Sequence, residues 1–284
     1  MLTSPISIKE PPINTTPLDK RSRQFRIQMV KMLEAAKRGH MASAFSLVEI
    51  LRVLYDDILR YDPKEPHWTS RDRCILSKGH GALALYVLLA EKGFFPEAEL
   101  WNYCKENGIL GGHPEYGKVP GVEASTGSLG HGLSIGIGFA LNARYLKSAH
   151  RTFVIVGDGE CDEGAIWEAA LAASKHKLYN LTVIVDYNKQ QSYATTYEVL
   201  DLEPFADKWQ AFGFSVRQVD GHNIEELHGA LAKVPFETSK PSVLICHTIK
   251  GKGVSFMENN LEWHHKNYPT ASEIEALLAE LERD

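Results

Sequence analysis

The segment GDGECDEGAIWEAALAASKHKLYNLTVIVDYNKQQ, residues 157–191, puts an acid and an amide at the ends of two apolar runs. Asp158 stands between two glycines where Phe153–Val156 stops, and Asn188 stands where Leu181–Val185 stops. Both runs are continuous rather than alternating, and a helical pattern lies between them. Strands of this kind are buried on both faces, which calls for a parallel sheet with helices packed on each side. Ligands in such sheets bind beyond the carboxyl ends of the strands, where Asp158 and Asn188 both fall.

The flanking sequence repeats the alternation. RCILS (73–77), TFVIV (152–156), FSVRQV (214–219) and SVLICHT (242–248) are short apolar or β-branched runs separated by helical patterns. LDKRSRQFRIQMVKMLEAAKRG (18–39) predicts a helix with Ile27, Val30 and Leu33 on one face, stopped at Gly39. HGALALYVLLAEKG (80–93) predicts a buried helix. Ser46 with Glu49, Asn223 with Glu226, and Thr270 with Glu273 have capping-box spacing and mark further helix starts. The expectation is an α/β fold: a doubly wound, mostly parallel sheet with helices on both faces. It forms a single domain over residues 18–284, after a Pro-rich lead-in over 1–17.

A chain of 284 residues with 44% apolar content has room for a substantial core. A net charge of −5 without a long basic run argues against a nucleic-acid surface. Lys250 and Lys252 read as loop charges. Cys74, Cys104, Cys161 and Cys246 lie too far apart for a zinc site or a disulfide framework, so reduced thiols in the cytoplasm are expected. The longest apolar run, Ala82–Ala90, is far short of the roughly 20 residues that cross a bilayer. The N-terminus lacks the pattern of a signal peptide.

Which ligand the strand ends hold is narrowed by their glycines. A dinucleotide loop would need a glycine at 135 after Gly130 and Gly132, and residue 135 is Ile; neither Gly117-Lys118 nor Gly251-Lys252 is followed by Ser or Thr. That leaves STGSLGHGLSIGIGFAL (125–141) and VGDGECDEG (156–164), in which small residues free backbone N–H groups at helix starts suited to an anion. Asp158 and the Asn188 side-chain oxygen are hard ligands that suit Mg²⁺ shared with phosphate oxygens, and the Gln190 carbonyl is placed to add a third. A competing reading makes Asp158 a helix cap and Asn188 a turn residue.

The GDG…N pattern resembles the thiamine-diphosphate signature, and the chain from about residue 20 to 265 resembles the diphosphate-binding, N-terminal half of transketolases. The matching pieces are RGH (38–40), DRCILSKGHGALALY (72–86), GGHPE (111–115), ASTGSLGHGLSIGIGFAL (124–141), the GDG segment, LEPFADKWQAFGF (202–214) and KGKGVSFMENNLEWHH (250–265). The resemblance implies thiamine diphosphate with Mg²⁺ (Ca²⁺ or Mn²⁺ substituting) held by Asp158, Asn188 and Gln190. It implies cofactor contacts from His80, Gly127, Ser128, Leu129, Asp158, Gly159, Glu160, Asn188 and His264. His40, His80, His113 and His264 would be the catalytic histidines, since breaking a C–C bond beside a ketone needs proton transfers near neutral pH. His265 adjoins His264, and the motif favours 264. Glu163 and Glu168 would lie near a subunit interface, Trp167 would pack, and Cys161 would be inert. His176, His222, His228 and His247 read as surface or structural.

In this family the groups that activate the thiazolium belong to a second, pyrimidine-binding domain. The expectation is a split enzyme in which this chain supplies the diphosphate half and a separate C-terminal subunit the remainder, as an α2β2 heterotetramer. It would transfer a two-carbon ketol unit from a ketose to an aldose, phosphorylated or not, without nucleic acid or membrane. Met41 and Ala42 after the first histidine, and KQQSYATTYEV after Asn188, depart from the family pattern and suggest a specialised sugar pathway. The rivals are the alpha subunit of a 2-oxo acid dehydrogenase, a non-catalytic regulatory subunit, and a flavodoxin-like binding module.

Overall fold

In the computed structural model, residues 16–264, 266 and 268–283 are described; most of the expected lead-in and His265 fall outside them. Five strands, β1 (Arg73–Leu76), β2 (Thr152–Gly157), β3 (Leu181–Tyr187), β4 (Ser215–Asp220) and β5 (Ser242–His247), form one sheet in the order β1-β2-β3-β5-β4. Every pairing is parallel, with Thr152 opposite Leu181 and Thr182 opposite Ser242. The expected α/β architecture is what forms.

Among the described residues the helices are α1 (Lys20–Ala36), α2 (Met41–Phe45), α3 (Val48–Val53), α4 (Ala82–Glu91), α5 (His131–Tyr145), α6 (Gly164–Lys175), α7 (Thr196–Val199), α8 (Phe205–Ala211), α9 (Ile224–Leu231) and α10 (Ala271–Leu281). The continuous apolar strands explain why helices cover both sheet faces, because successive side chains point to opposite sides. Phe153, Ile155, Ile184 and Leu244 join the core under α1, α3, α4, α9 and α10. Val154, Val156, Val183, Val185 and Ile245 join the other, under α5, α6 and α8. Among the described residues no helix is long and apolar enough to cross a membrane.

Asn223 accepts from the backbone N–H groups of Glu225 and Glu226 at the start of α9, and Thr270 with Glu273 forms a full capping box at α10. The expected cap at Ser46 is absent. Ser46 is the residue that ends α2, its hydroxyl donates to Asp186 at 2.7 Å, and Glu49 pairs with Arg26 instead. The first helix also stops earlier than Gly39: Lys37 takes the left-handed conformation (φ 55°) and donates its N–H to the Leu33 carbonyl.

Candidate active site

The carboxyl ends of four neighbouring strands converge. Lys78 and His80 follow β1, Asp158 follows β2, Asn188 and Gln190 follow β3, and Lys250 follows β5. With Leu129, Gly157, Gly159, Glu160, Gln191, Ser192 and His264 these residues line one cavity of about 80 Å³. Of the residues expected to touch cofactor or metal, His80, Leu129, Asp158, Gly159, Glu160, Asn188, Gln190 and His264 are therefore brought together. Gly127 and Ser128 lie on the approach to Leu129; Ser128 is exposed, and a Cβ on Gly127 would come within 2.8 Å of the His113 ring.

His40 and His113 line an adjoining cavity of about 380 Å³ with Arg38, Gly39, Tyr103 and Gly112. The His40 ring lies 6.0 Å from that of His80 and 6.1 Å from that of His113, so it stands between the two cavities. The Tyr86 hydroxyl donates to the His113 carbonyl at 2.9 Å and fixes that loop. Burial, reinforced by the charges of Lys78 and Lys250, pushes the His80 imidazole well below its ordinary pKa; burial alone lowers that of His113. Both rings are therefore neutral near pH 7.

Backbone geometry shapes the strand-end cavity. The Asp158 carboxylate accepts from the Gly159 N–H at 2.8 Å and from the Lys189 N–H, and the Asn188 side-chain oxygen accepts from the Gln190 N–H at 3.1 Å. Asp158 thus caps the short 3₁₀ turn that begins at Gly159 rather than α6 itself. Burial raises its pKa, with Lys250 opposing, so the carboxylate sits where an added cation is favoured. Glu160 braces the walls: one carboxylate oxygen takes the Gly130 N–H (2.9 Å) and the Ser77 hydroxyl, and the other takes the Gly157 N–H (3.1 Å). A Cβ on Gly79 would lie 2.7 Å from the Gly127 nitrogen, so glycine is required for the two loops to abut.

Two functional lysines were missed by sequence reasoning. Lys250 is no loop charge: it is buried, and its ammonium lies 3.1 Å from the Gln190 carbonyl and 2.6 Å from His264 Nδ1. Burial and the neighbouring Lys78 depress its pKa. Lys252, the other expected loop charge, is buried too, with its carbonyl accepting from Arg26 at 2.9 Å. Lys78 is buried against Asp186 at 2.5 Å, and Asp186 also accepts from Ser46 and Thr248. The signal for Lys250 was its place in the loop that follows an apolar run, as with Asp158 and Asn188. Asp186 announces itself as the one acid inside LTVIVDY.

The remaining expectations fall out simply. His222 is structural, placed 2.9 Å from Glu49 and accepting the Ile249 N–H at 2.8 Å, and His247 contacts Gln218 inside the fold. Trp167 packs on Trp209 and Phe212. Cys161 is buried, which pushes its thiol up and leaves it inert. Glu163 and Glu168 are exposed. Chemically, the strand-end cavity combines nitrogen donors (Lys78, His80, Lys250, His264) with hard oxygen acceptors, a set suited to a polyanion bridged to a hard cation.

Residues 19–281 match the family described as "Transketolase, thiamine diphosphate binding domain". The chain is 42% identical over 264 residues to one chain of the apulose-4-phosphate transketolase of Phocaeicola vulgatus, covering 93% of each. It is 42% identical over 246 residues to a 6-deoxy-6-sulfo-D-fructose transketolase subunit of Clostridium sp., covering 87% of this chain and 89% of that one. Among solved structures, transketolase from Leishmania mexicana superposes with a TM-score of 0.87 at 29% identity, over 93% of this chain and 41% of that one. The chain therefore spans well under half the length of that transketolase.

Proposed function

This chain belongs to the transketolase family by its thiamine-diphosphate-binding domain, and on that premise we propose that it is the diphosphate- and Mg²⁺-binding subunit of a two-chain transketolase. The enzyme moves a two-carbon ketol unit from a ketose, or ketose phosphate, to an aldose. The observation that carries this reading is the convergence of Asp158, Asn188, Gln190, Lys250, His80 and His264 on one strand-end cavity. Relatives of matching length are named as transketolase subunits, which supports a separate pyrimidine-binding chain as partner. A cytoplasmic setting is supported by cysteines that all stand as free thiols.

The donor set fits the cofactor. Asp158, the Asn188 side-chain oxygen and the Gln190 carbonyl would hold Mg²⁺, with Lys250 turning from the carbonyl towards phosphate oxygen. Lys250 would offset the charge of the diphosphate while His80 and His264 hydrogen-bond it, and Gly127, Ser128, Leu129 and Gly159 would line its path, with Glu160 holding the two loops together. Thiamine diphosphate, once bound, supplies the electron sink for the carbanion formed when the C–C bond breaks. His40 and His113 border the larger adjoining cavity and would orient the sugar. His80 and His113, neutral near pH 7, would exchange hydrogen bonds with the bound ligands without adding charge.

Titration calorimetry with thiamine diphosphate and Mg²⁺, in the presence of the pyrimidine-binding subunit, tests the reading. Asp158→Ala should weaken cofactor binding at least tenfold, about 1.4 kcal/mol. Ketol transfer should be negligible for the chain alone and appear on mixing. Unchanged cofactor affinity in Asp158→Ala, or full turnover without a partner, would overturn it.

A further inference from the structure

Lys250 stands on the groups assigned to the cofactor's cation. Its ammonium, 2% exposed, lies 3.1 Å from the Gln190 carbonyl and 2.6 Å from His264 Nδ1. Of the charges that act on the Asp158 carboxylate, that of Lys250 is the strongest. One lysine therefore engages two of the three assigned ligands, the carbonyl by a hydrogen bond and the carboxylate by charge. The backbone that carries it is pinned. The Lys250 carbonyl accepts from the Asn259 N–H at 3.0 Å, and the next N–H, of Gly251, reaches the Ala42 carbonyl at 3.2 Å. Gly251 is left-handed (φ 80°), and a Cβ there would lie 2.6 Å from the Met257 carbonyl oxygen. Any rearrangement at Lys250 thus falls on its side chain.

The other acids nearby are committed elsewhere. Asp186 accepts from Lys78, Ser46 and Thr248, and Glu160 accepts from the N–H groups of Gly130 and Gly157 and from the Ser77 hydroxyl. Among the described residues no three His, Cys, Asp or Glu side chains group as ligands for a metal ion. A divalent cation arriving by itself would meet Asp158 as the one acid of its assigned set, with an ammonium already on the carbonyl. Two cations on one buried carbonyl repel strongly. A diphosphate reverses the balance, because its oxygens attract the ammonium and ligate the cation at once.

We propose that Lys250 is a built-in counter-cation that makes the metal site conditional: a divalent ion binds there only together with a diphosphate, which draws the ammonium off the Gln190 carbonyl. The inference rests on the cofactor reading and adds a regulation to it. Metal and diphosphate load as a pair, and by linkage each raises the affinity for the other. A bare divalent ion competes with Lys250 and is turned away.

The test is the sign of one substitution on two ligands. Mn²⁺ alone is titrated into the full chain, with electron paramagnetic resonance reading the free ion. Thiamine diphosphate with Mg²⁺ is titrated by calorimetry into the chain paired with the pyrimidine-binding subunit. Lys250→Met should bind Mn²⁺ alone about tenfold more tightly than the native chain, yet bind thiamine diphosphate with Mg²⁺ about tenfold more weakly. A purely structural role for Lys250 would weaken both. Asp158→Ala added to Lys250→Met should abolish the gained Mn²⁺ affinity, which locates the ion at the strand ends. If Lys250→Met does not fold, the native complex decides: Mn²⁺ alone should leave its melting temperature unchanged, and Mn²⁺ with thiamine diphosphate should raise it. Mn²⁺ binding by the native chain as tight as that of Lys250→Met, or a melting temperature raised by Mn²⁺ alone, would overturn the inference and leave the cofactor reading standing. Failure of the native complex to bind thiamine diphosphate with Mg²⁺ would overturn both.

Discussion

Glu49 shows what a single buried charge does in this fold. It is 1% exposed and meets Arg26 through bonds of 2.7 and 2.9 Å and His222 at 2.9 Å. Burial pushes its carboxyl up, but the Arg26 charge and the hydrogen bonds from His222 and Arg26 outweigh that and hold it far below the usual range. The folded state therefore favours the ionised form. The contribution is complete above the unfolded-state pKa of about 4.3 and is lost as pH falls below it. Glu49→Gln, which leaves Arg26 buried without its counter-charge, should cost about 3–5 kcal/mol at pH 7. Urea midpoints should fall between about pH 5 and 3 in the native protein and change much less in the variant. Spacing in the chain could not reveal this role. Ser46 and Glu49 have the separation of a cap, but the real partners of Glu49 lie 23 and 173 residues away. Asp158 and Asn188 were legible because strand ends are a local feature; Lys250 lies further along the loop after β5, and its burial depends on the whole sheet.

At the scale of elements, the helices on one face of the sheet end alike. In α5, the Lys147 N–H reaches the Arg144 carbonyl and the Ser148 N–H reaches that of Ala143; in α6, Lys177 pairs with Ser174 and Leu178 with Ala173. In α8, Gly213 pairs with Gln210 and Phe214 with Trp209, the same closure. This is the Schellman arrangement, whose pivotal residue is usually glycine. Of these three, α8 alone has it, and there space also demands it, since a Cβ on Gly213 would lie 2.1 Å from the Ser174 hydroxyl. Lysines at 147 and 177 accept left-handed backbone, with φ of 52° and 50°. Lys177→Gly should raise stability by about 0.5 kcal/mol, the relief of left-handed strain exceeding the entropic cost of glycine. Gly213→Ala should lower it by more than about 1 kcal/mol. Chemical denaturation of both variants measures the contrast. Helix existence was legible from apolar periodicity, whereas the stop of α1 was not. A glycine at 39 pointed to a terminus, but Lys37 had already turned the chain.

Across the whole molecule, the parallel sheet was legible because several short, β-branched apolar runs without alternation recur between helical patterns, whereas the longer Ala-rich and Leu-rich run at 82–90 forms α4. The placing of β5 between β3 and β4 was not, since the order depends on which helices fill which face. That order matters because it sets Thr248 and Lys250 beside Asp186 and Gln190. Asp186, wholly buried, gathers Ser46 from the α2–α3 turn, Lys78 from the loop after β1 and Thr248 from the loop after β5. The charge of Lys78 and these hydrogen bonds overcome the effect of burial and keep its carboxyl below the ordinary range. Asp186→Ala should accelerate amide exchange at 43–46, 77–80 and 248–250 together, and acceleration at only one of these segments would show that they are held independently. Three walls share that one carboxylate. The partner subunit proposed above would meet a preformed half-mould at the strand ends, so little ordering entropy on this side would oppose assembly, and selection for fit would fall on the incoming surface.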